Sequence, residues 1–339
     1  MKRIAIIVLS FLVAITVSWL LVIYFNSLKK PINFDDNNSV STINQIEKIC
    51  EYNNPIVPNG FKKVETESAS WELENNVAKG WNNGLVIEDE IGNQFVWIPI
   101  KLMDEYILEK DNHFAIPPEE KNVFALLKKY NGFYVARYEA GVPLEIQNTL
   151  TNISEETNNI EGIPVSKKGI RPWNFLTKEN AVINAEKMYS NEYVYSSLLT
   201  DREWVHIDSW LSQSGYDVKD PKEYGNFSNV NFKFTGLYSN DIGKTYVYGE
   251  DKNKATINMI LATGLTDRNK TNNIYDFYGN VAEGTIYKFE YIDKDGILKK
   301  IYTDFNAYGG YYDNSSKGES FNYVWPNSKT GFRVVLYMK

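Results

Sequence analysis

The chain has 339 residues, of which 43% are apolar, and a formal net charge of −7; it can bury a sizeable core and is no disordered tail. Aromatics reach 14%, with 24 Tyr and 8 Trp. That balance suits a loop-rich fold held by ring packing, or a surface built for recognition, better than a helical bundle. The single cysteine, Cys50, excludes an internal disulfide.

After Lys2 and Arg3, residues 4–25 carry no charge. At about 1.5 Å per residue they make roughly 33 Å of helix, enough to cross a hydrocarbon core of about 30 Å. The run is longer than the core of an ordinary signal peptide, and Tyr24-Phe25-Asn26-Ser27-Leu28 offers no small-x-small cleavage pattern. Residues 1–27 are therefore expected to be an uncleaved transmembrane anchor. Lys2 and Arg3 are balanced by Lys29 and Lys30 on the other side, and the N-terminal amine favours the N-inside orientation, which puts the bulk of the chain outside the cytoplasm.

Residues 28–57 are polar, with prolines at 31 and 55, and read as a stalk. Residues 58–339 form the globular domain. Removing the four positive charges of residues 1–30 leaves −11 for residues 31–339. Nucleic acids and anionic lipids need a basic face, so the global balance argues against them as partners.

Within the domain, residues 85–88 and 94–100 flank a Gly92-Asn93 turn and predict a hairpin. Residues 132–139, GFYVARYE, predict a third strand whose broken alternation implies burial on both faces. Two amphipathic helices follow. In residues 176–189, Thr177 caps a helix with Ala181, Ala185, Met188 and Tyr189 on one face; in residues 198–211, Thr200 and Glu203 form a capping box ahead of Trp204, Ile207 and Leu211. Beyond Gly215, short aromatic segments separated by Asn, Gly, Asp and Ser have the texture of irregular loops and short strands.

With only His113, His206 and Cys50 to offer, the chain has no Cys/His cluster for zinc and no spacing for an iron triad. A Ser-His-Asp arrangement through His206 with Asp208 or Asp217 is arithmetically open. However, no Gly-x-Ser-x-Gly elbow accompanies it, and His206 falls inside an amphipathic helix. Neither a Walker loop nor a dinucleotide-binding glycine pattern occurs.

The order of segments carries more information. GFYVARYEAG (132–141), PVSKKGIRPWNFLTKENAVINAEKMY (164–189), SSLLTDREW (196–204), NNIYDFYGNVAEGT (272–285), Gly309-Gly310 and TGFRVVL (330–336) follow one another. Together they resemble the formylglycine-generating enzyme family, also called sulfatase-modifying factor domains, over roughly residues 60–339. LLTDREW looks like the family's Arg-Leu-Pro-Thr-Glu-Ala-Glu-Trp signature and YGNVAEGT like its Gly-Asn-Val-Trp-Glu-Trp-Thr. The resemblance implies an α+β, irregular and loop-rich variant of the C-type lectin-like fold, with few strands, two packed helices and long ordered loops.

It also implies which chemistry to expect missing. In the family's oxidases a cysteine pair between the Gly-Gly and Gly-Phe-Arg segments binds copper, and residues 309–333 contain no cysteine. A related branch uses a histidine-ligated iron, which two histidines cannot supply. No copper, iron or zinc site is expected, no catalytic residue is assigned, and formylglycine generation is not expected.

What, then, is Glu283 for? In the resembling family this turn commonly holds calcium through backbone carbonyls and the glutamate. That role maps here onto the carbonyls of Tyr278, Gly279 and Val281 and the Glu283 side chain, and oxygen donors of this kind suit calcium. The alternative is that Asn280 closes the turn while Glu283 pairs with Arg333 or a backbone amide. Two functional classes stay open as well. One is a non-catalytic surface module that presents the aromatic and Asn-rich loop at 308–325, with Tyr308, Tyr311, Tyr312, Asn314, Asn322, Tyr323 and Trp325, to a protein or glycan. The other is an enzyme of the same superfamily with a different chemistry.

Overall fold

The computed structural model describes residues 50–101, 120–143, 145, 159–213, 215, 224–227, 235–237, 245–247, 260–292, 298–303, 306–312, 321–322 and 326–339. The expected anchor at 4–25, its orientation, and the stalk up to residue 49 lie outside the described residues. Among the described residues no helix is long and apolar enough to cross a membrane.

The first strands are β1 (Phe61–Val64), β2 (Leu73–Glu74), β3 (Val77–Ala78), β4 (Val86–Asp89) and β5 (Gln94–Pro99). Helix α1 (Glu120–Tyr130) leads into β6 (Gly132–Ala136), and α2 (Lys178–Met188) precedes β7 (Val194–Leu198) and α3 (Asp201–Ser212). Short strands β8 (Thr235–Leu237), β9 (Thr245–Val247), β10 (Lys270–Thr271), β11 (Ile274–Tyr275) and β12 (Ala282–Gly284) come next. The chain closes with β13 (Tyr287–Ile292), β14 (Leu298–Thr303), β15 (Asn306–Tyr308), β16 (Phe321–Asn322), β17 (Thr330–Phe332) and β18 (Val334–Met338).

Six strands build one antiparallel sheet in the order β1-β4-β5-β6-β18-β7. Side chains alternate across its two faces. Phe95, Trp97, Tyr134, Val334 and Leu336 join Ala181, Val182, Ala185 and Met188 of α2 in one core, while Val96, Ile98, Phe133, Val135, Val335 and Tyr337 join Leu127 of α1 and Trp204, Ile207 and Leu211 of α3 in the other. A strand covered on both faces has no polar side to alternate with, which is why GFYVA is apolar throughout and wholly buried. The C-terminal strand β18 sits in the middle of this sheet, between β6 and β7.

Both helices expected from capping signals are present. Thr177 accepts from the Asn180 N–H at the start of α2, and Thr200 and Glu203 make the reciprocal capping box of α3. The Gly92-Asn93 hairpin also forms, with Val86 opposite Val96. The chain is a mixed α/β, sheet-rich fold with few helices, and strands are more numerous than the resemblance implied. The β13–β14 hairpin, paired over Tyr287–Ile292, is among those that the sequence pattern did not announce. Helix α1 was not expected either, although Val123 and Leu127 are four residues apart and both turn inward.

The stalk boundary also shifts. Cys50 is buried, its carbonyl accepts from Asn131 Nδ2 at 2.6 Å, the Tyr52 carbonyl accepts from Trp97 Nε1 at 2.8 Å, and the Ile56 carbonyl accepts from the Tyr134 hydroxyl at 2.8 Å. Residues 50–57, expected to be the end of a free stalk, are tied to the main sheet instead. Their backbone satisfies buried donors of core side chains, a demand that composition does not reveal.

Candidate functional site

The turn that carries Glu283 is held from several sides. Gly279 (φ 76°) and Asn280 (φ 60°) both take left-handed backbone. A Cβ on Gly279 would lie 2.4 Å from the Asn226 carbonyl oxygen, so only glycine fits there. Asn280 joins four segments. Its N–H donates to the Asn226 carbonyl (2.9 Å), its Oδ1 accepts from the Leu261 N–H (2.7 Å) and Asn226 Nδ2 (3.1 Å), and its Nδ2 donates to Glu139 Oε2 (2.7 Å) and the Leu261 carbonyl (3.2 Å). Glu139 completes the hub by accepting from the Val281 N–H at 3.1 Å through Oε1.

Two residues on, β12 runs antiparallel to β15, with Glu283 opposite Tyr308, and parallel to β17, with Glu283 opposite Gly331. The Glu283 side chain is fully buried. Its Oε1 accepts from Arg333 Nε in an ion pair, and its Oε2 accepts from the Trp204 indole N–H at 2.9 Å. Arg333 spends its other nitrogens on the Ala136 carbonyl (2.9 Å) and the Tyr275 carbonyl (2.8 Å). The Glu283–Arg333 pair therefore ties the end of β6, β11, β12 and the head of β18 together, and α3 joins through Trp204.

Of the two roles weighed for Glu283, pairing with Arg333 is the one seen. Tyr278, Gly279, Val281 and Glu283 do share one tight segment, but the carboxylate faces a guanidinium and an indole donor. As arranged, each carboxylate oxygen already accepts one hydrogen bond. Taking Glu283 from its partners would leave Arg333 buried without its hydrogen-bonded counter-charge.

Burial governs the electrostatics. It pushes the Glu283 carboxyl up to about 7 against the opposing pull of Arg333, and the Asp276 carboxyl up to about 6 against hydrogen bonds from the Gly264 N–H and Asn269 Nδ2. Burial likewise raises Glu139 far above the usual carboxylate range, with Asp276 adding to the effect and Arg333 opposing it. Neither Glu139 nor Asp276 had been singled out as a functional residue, although both lie inside the quoted segments 132–141 and 272–285. The available signal was a lone carboxylate flanked by residues that are otherwise core.

The tyrosines of the expected ligand loop lie beside this hub. Tyr308 is half-buried, with its ring stacked on Trp204 (centroids 4.6 Å, planes 18° apart), and Trp204 stacks in turn on Phe277 (5.1 Å, 12°). Tyr311 and Tyr312 are half-buried, with centroids 6.4 Å apart, and the Lys329 ammonium lies 4.6 Å above the Tyr311 ring. The Tyr312 N–H donates to the Asn280 carbonyl at 3.0 Å and the Gly279 N–H to the Gly309 carbonyl at 2.9 Å, so the loop starts from the hub. Asn322 falls in β16, while Asn314, Tyr323 and Trp325 lie outside the described residues.

His206 sits on α3 with Nε2 3.1 Å from the Pro99 carbonyl, and Asp208 accepts from the Tyr278 hydroxyl at 2.6 Å. These contacts give both residues packing partners. Asp217 and His113 lie outside the described residues. No protein-family model matches this chain, and no curated protein matches it.

Proposed function

We propose that the chain is a membrane-anchored, extracytoplasmic binding module with a C-type lectin-like fold of the sulfatase-modifying factor type. Its ligand, a protein or a glycan, meets the aromatic loop at 308–325. What supports this reading most is the stack of Phe277, Trp204 and Tyr308, which joins the start of the loop to α3 while leaving Tyr308, Tyr311 and Tyr312 only half-buried. Rings fixed on a rigid frame lose little entropy when a partner arrives, and they alternate here with adaptable amides, as in paratope-like surfaces. Two of the charged residues nearby, Glu283 and Arg333, are committed to each other.

The test uses the full-length chain on arrays of immobilised glycans and cell-surface proteins. Tyr311→Ala should weaken the bound partner roughly tenfold to a hundredfold, with the melting temperature almost unchanged. A large drop in melting temperature without selective loss of binding would make Tyr311 a packing residue and sink the proposal. Anchoring is tested separately. The chain should stay with membranes through carbonate extraction, and protease added to spheroplasts should remove the domain; a mature form beginning near residue 28 would identify a cleaved signal instead.

A further inference from the structure

On the far side of the Tyr275 backbone from Arg333, whose guanidinium bonds the Tyr275 carbonyl, three cations gather round the Tyr275 ring. Tyr138 and Tyr275 stack with centroids 5.1 Å apart and planes 19° from parallel, and both are buried. The Arg137 guanidinium lies 5.4 Å from the Tyr275 centroid, the Lys270 ammonium 5.9 Å and the Lys168 ammonium 6.0 Å. No two of them can then be more than about 12 Å apart, an upper limit somewhat longer than the physiological screening length of about 8 Å. This happens in a chain whose net charge is −7.

Three carboxylates, Asp267, Glu88 and the buried Asp276, also act on the Tyr138 ring. Asp267 accepts from the Tyr275 hydroxyl at 2.7 Å and lies 3.7 Å from Lys270, and both contacts hold its carboxyl below the usual range. Glu88, which Arg137 also influences, is bonded to Lys62 at 2.8 Å and to Gln94 at 2.6 Å. Among the described residues, Arg137 itself bonds only neutral oxygens, the Asn273 carbonyl (3.0 Å) and Gln94 Oε1 (2.7 Å). That uses two of the five N–H donors a guanidinium carries. Lys168 is exposed and its ammonium makes no hydrogen bond or ion pair among the described residues.

We propose that Arg137, Lys168 and Lys270 form a binding site for a phosphate or sulfate group. The buried Tyr138–Tyr275 stack holds the three cations near one another, and Arg137, fixed by Asn273 and Gln94, supplies the directional donors. The two ammonium groups supply charge that follows the ligand. The open position of Lys168 leaves room for the group to be carried on a larger molecule.

The full-length chain is melted in inorganic phosphate, in glycerol phosphate, and in sodium chloride of matched ionic strength. Both phosphates should raise the melting temperature by a few degrees over chloride at roughly ten times their dissociation constant. Lys168→Gln and Lys270→Gln should each remove most of that rise, and Lys168→Arg should keep it. Protection by inorganic phosphate alone would restrict the site to the free ion. The proposal fails if neither phosphate protects beyond chloride, or if both glutamine variants are protected like the parent chain.

Discussion

Glu283 and Tyr308 face each other across one antiparallel pair, yet their surroundings differ. Glu283 lies in a closed network with Arg333 and Trp204, next to a hub in which Glu139 and Asn280 satisfy one another. Tyr308, Tyr311 and Tyr312 are held from beneath and only half-covered. The buried region converts polar groups into rigidity, because each partner, once desolvated, is costly to remove. The rim is positioned by that rigidity without being consumed by it. A motif that looks chemical, a glutamate on a Gly-Asn turn, thus serves as framework, while the chemically bland tyrosines beside it keep surface to offer.

The sharpest way to break this contrast is Arg333→Met, which strands Glu283 in the core. Urea unfolding should show a loss of about 3–5 kcal/mol, and Arg333→Met with Glu283→Leu should regain part of it, because Glu283 is then no longer left buried without its partner. A loss below 1 kcal/mol in the single variant would show that the pair is not framework.

Next in size is a pH effect. Asp276 has its carboxyl raised to about 6 in the folded chain against an ordinary value of 3.8. The native state therefore holds that proton more tightly than the unfolded one. Its contribution is fully present below about pH 4 and is lost as pH rises through about 6, on the order of 3 kcal/mol in all. Raised Glu139 and Glu283 act in the same direction. Asp276→Asn should flatten the decline between pH 4 and pH 7 in unfolding curves, and an unaltered profile would assign it elsewhere.

Tyr308→Ala should cost about 1–2 kcal/mol, from lost stacking on Trp204 and partial burial. That places the base of the loop between hub and rim. The smallest expected effect is that of calcium. At millimolar calcium the melting temperature should not move, since the Glu283 oxygens are engaged; a rise that Glu283→Gln abolishes would mean that the carboxylate leaves Arg333 for the ion.

Much of the frame was legible in the sequence because its signals are local. Thr177, Thr200 and Glu203 announce their helices through bonds made within three residues, and Gly92-Asn93 announces its hairpin. The hub was legible only as a cluster of motif residues. Glu139 and Asn280 are 141 positions apart, and Arg333 and Ala136 are 197 apart, so nothing near either residue in the chain records the bond. Residues 50–57 were misplaced for a related reason: their polar composition reads as solvated, but core side chains of β5 and β6 needed their carbonyls.

By itself, the sequence determined the caps, the turn glycines, a doubly buried strand within 132–139, which ends at Ala136, and the absence of cysteine from residues 309–333. Each depends on the conformational limits or chemistry of residues close together in the chain. Only the tertiary structure decided that Glu283 binds Arg333 and Trp204, that Tyr308 rests on α3, and that Arg137, Lys168 and Lys270 surround one ring. Those outcomes turn on which segments the six-stranded sheet brings together, with β18 closing between β6 and β7. A buried charge then takes whichever partner that closure delivers, since leaving it unpaired costs more than any local preference can offset.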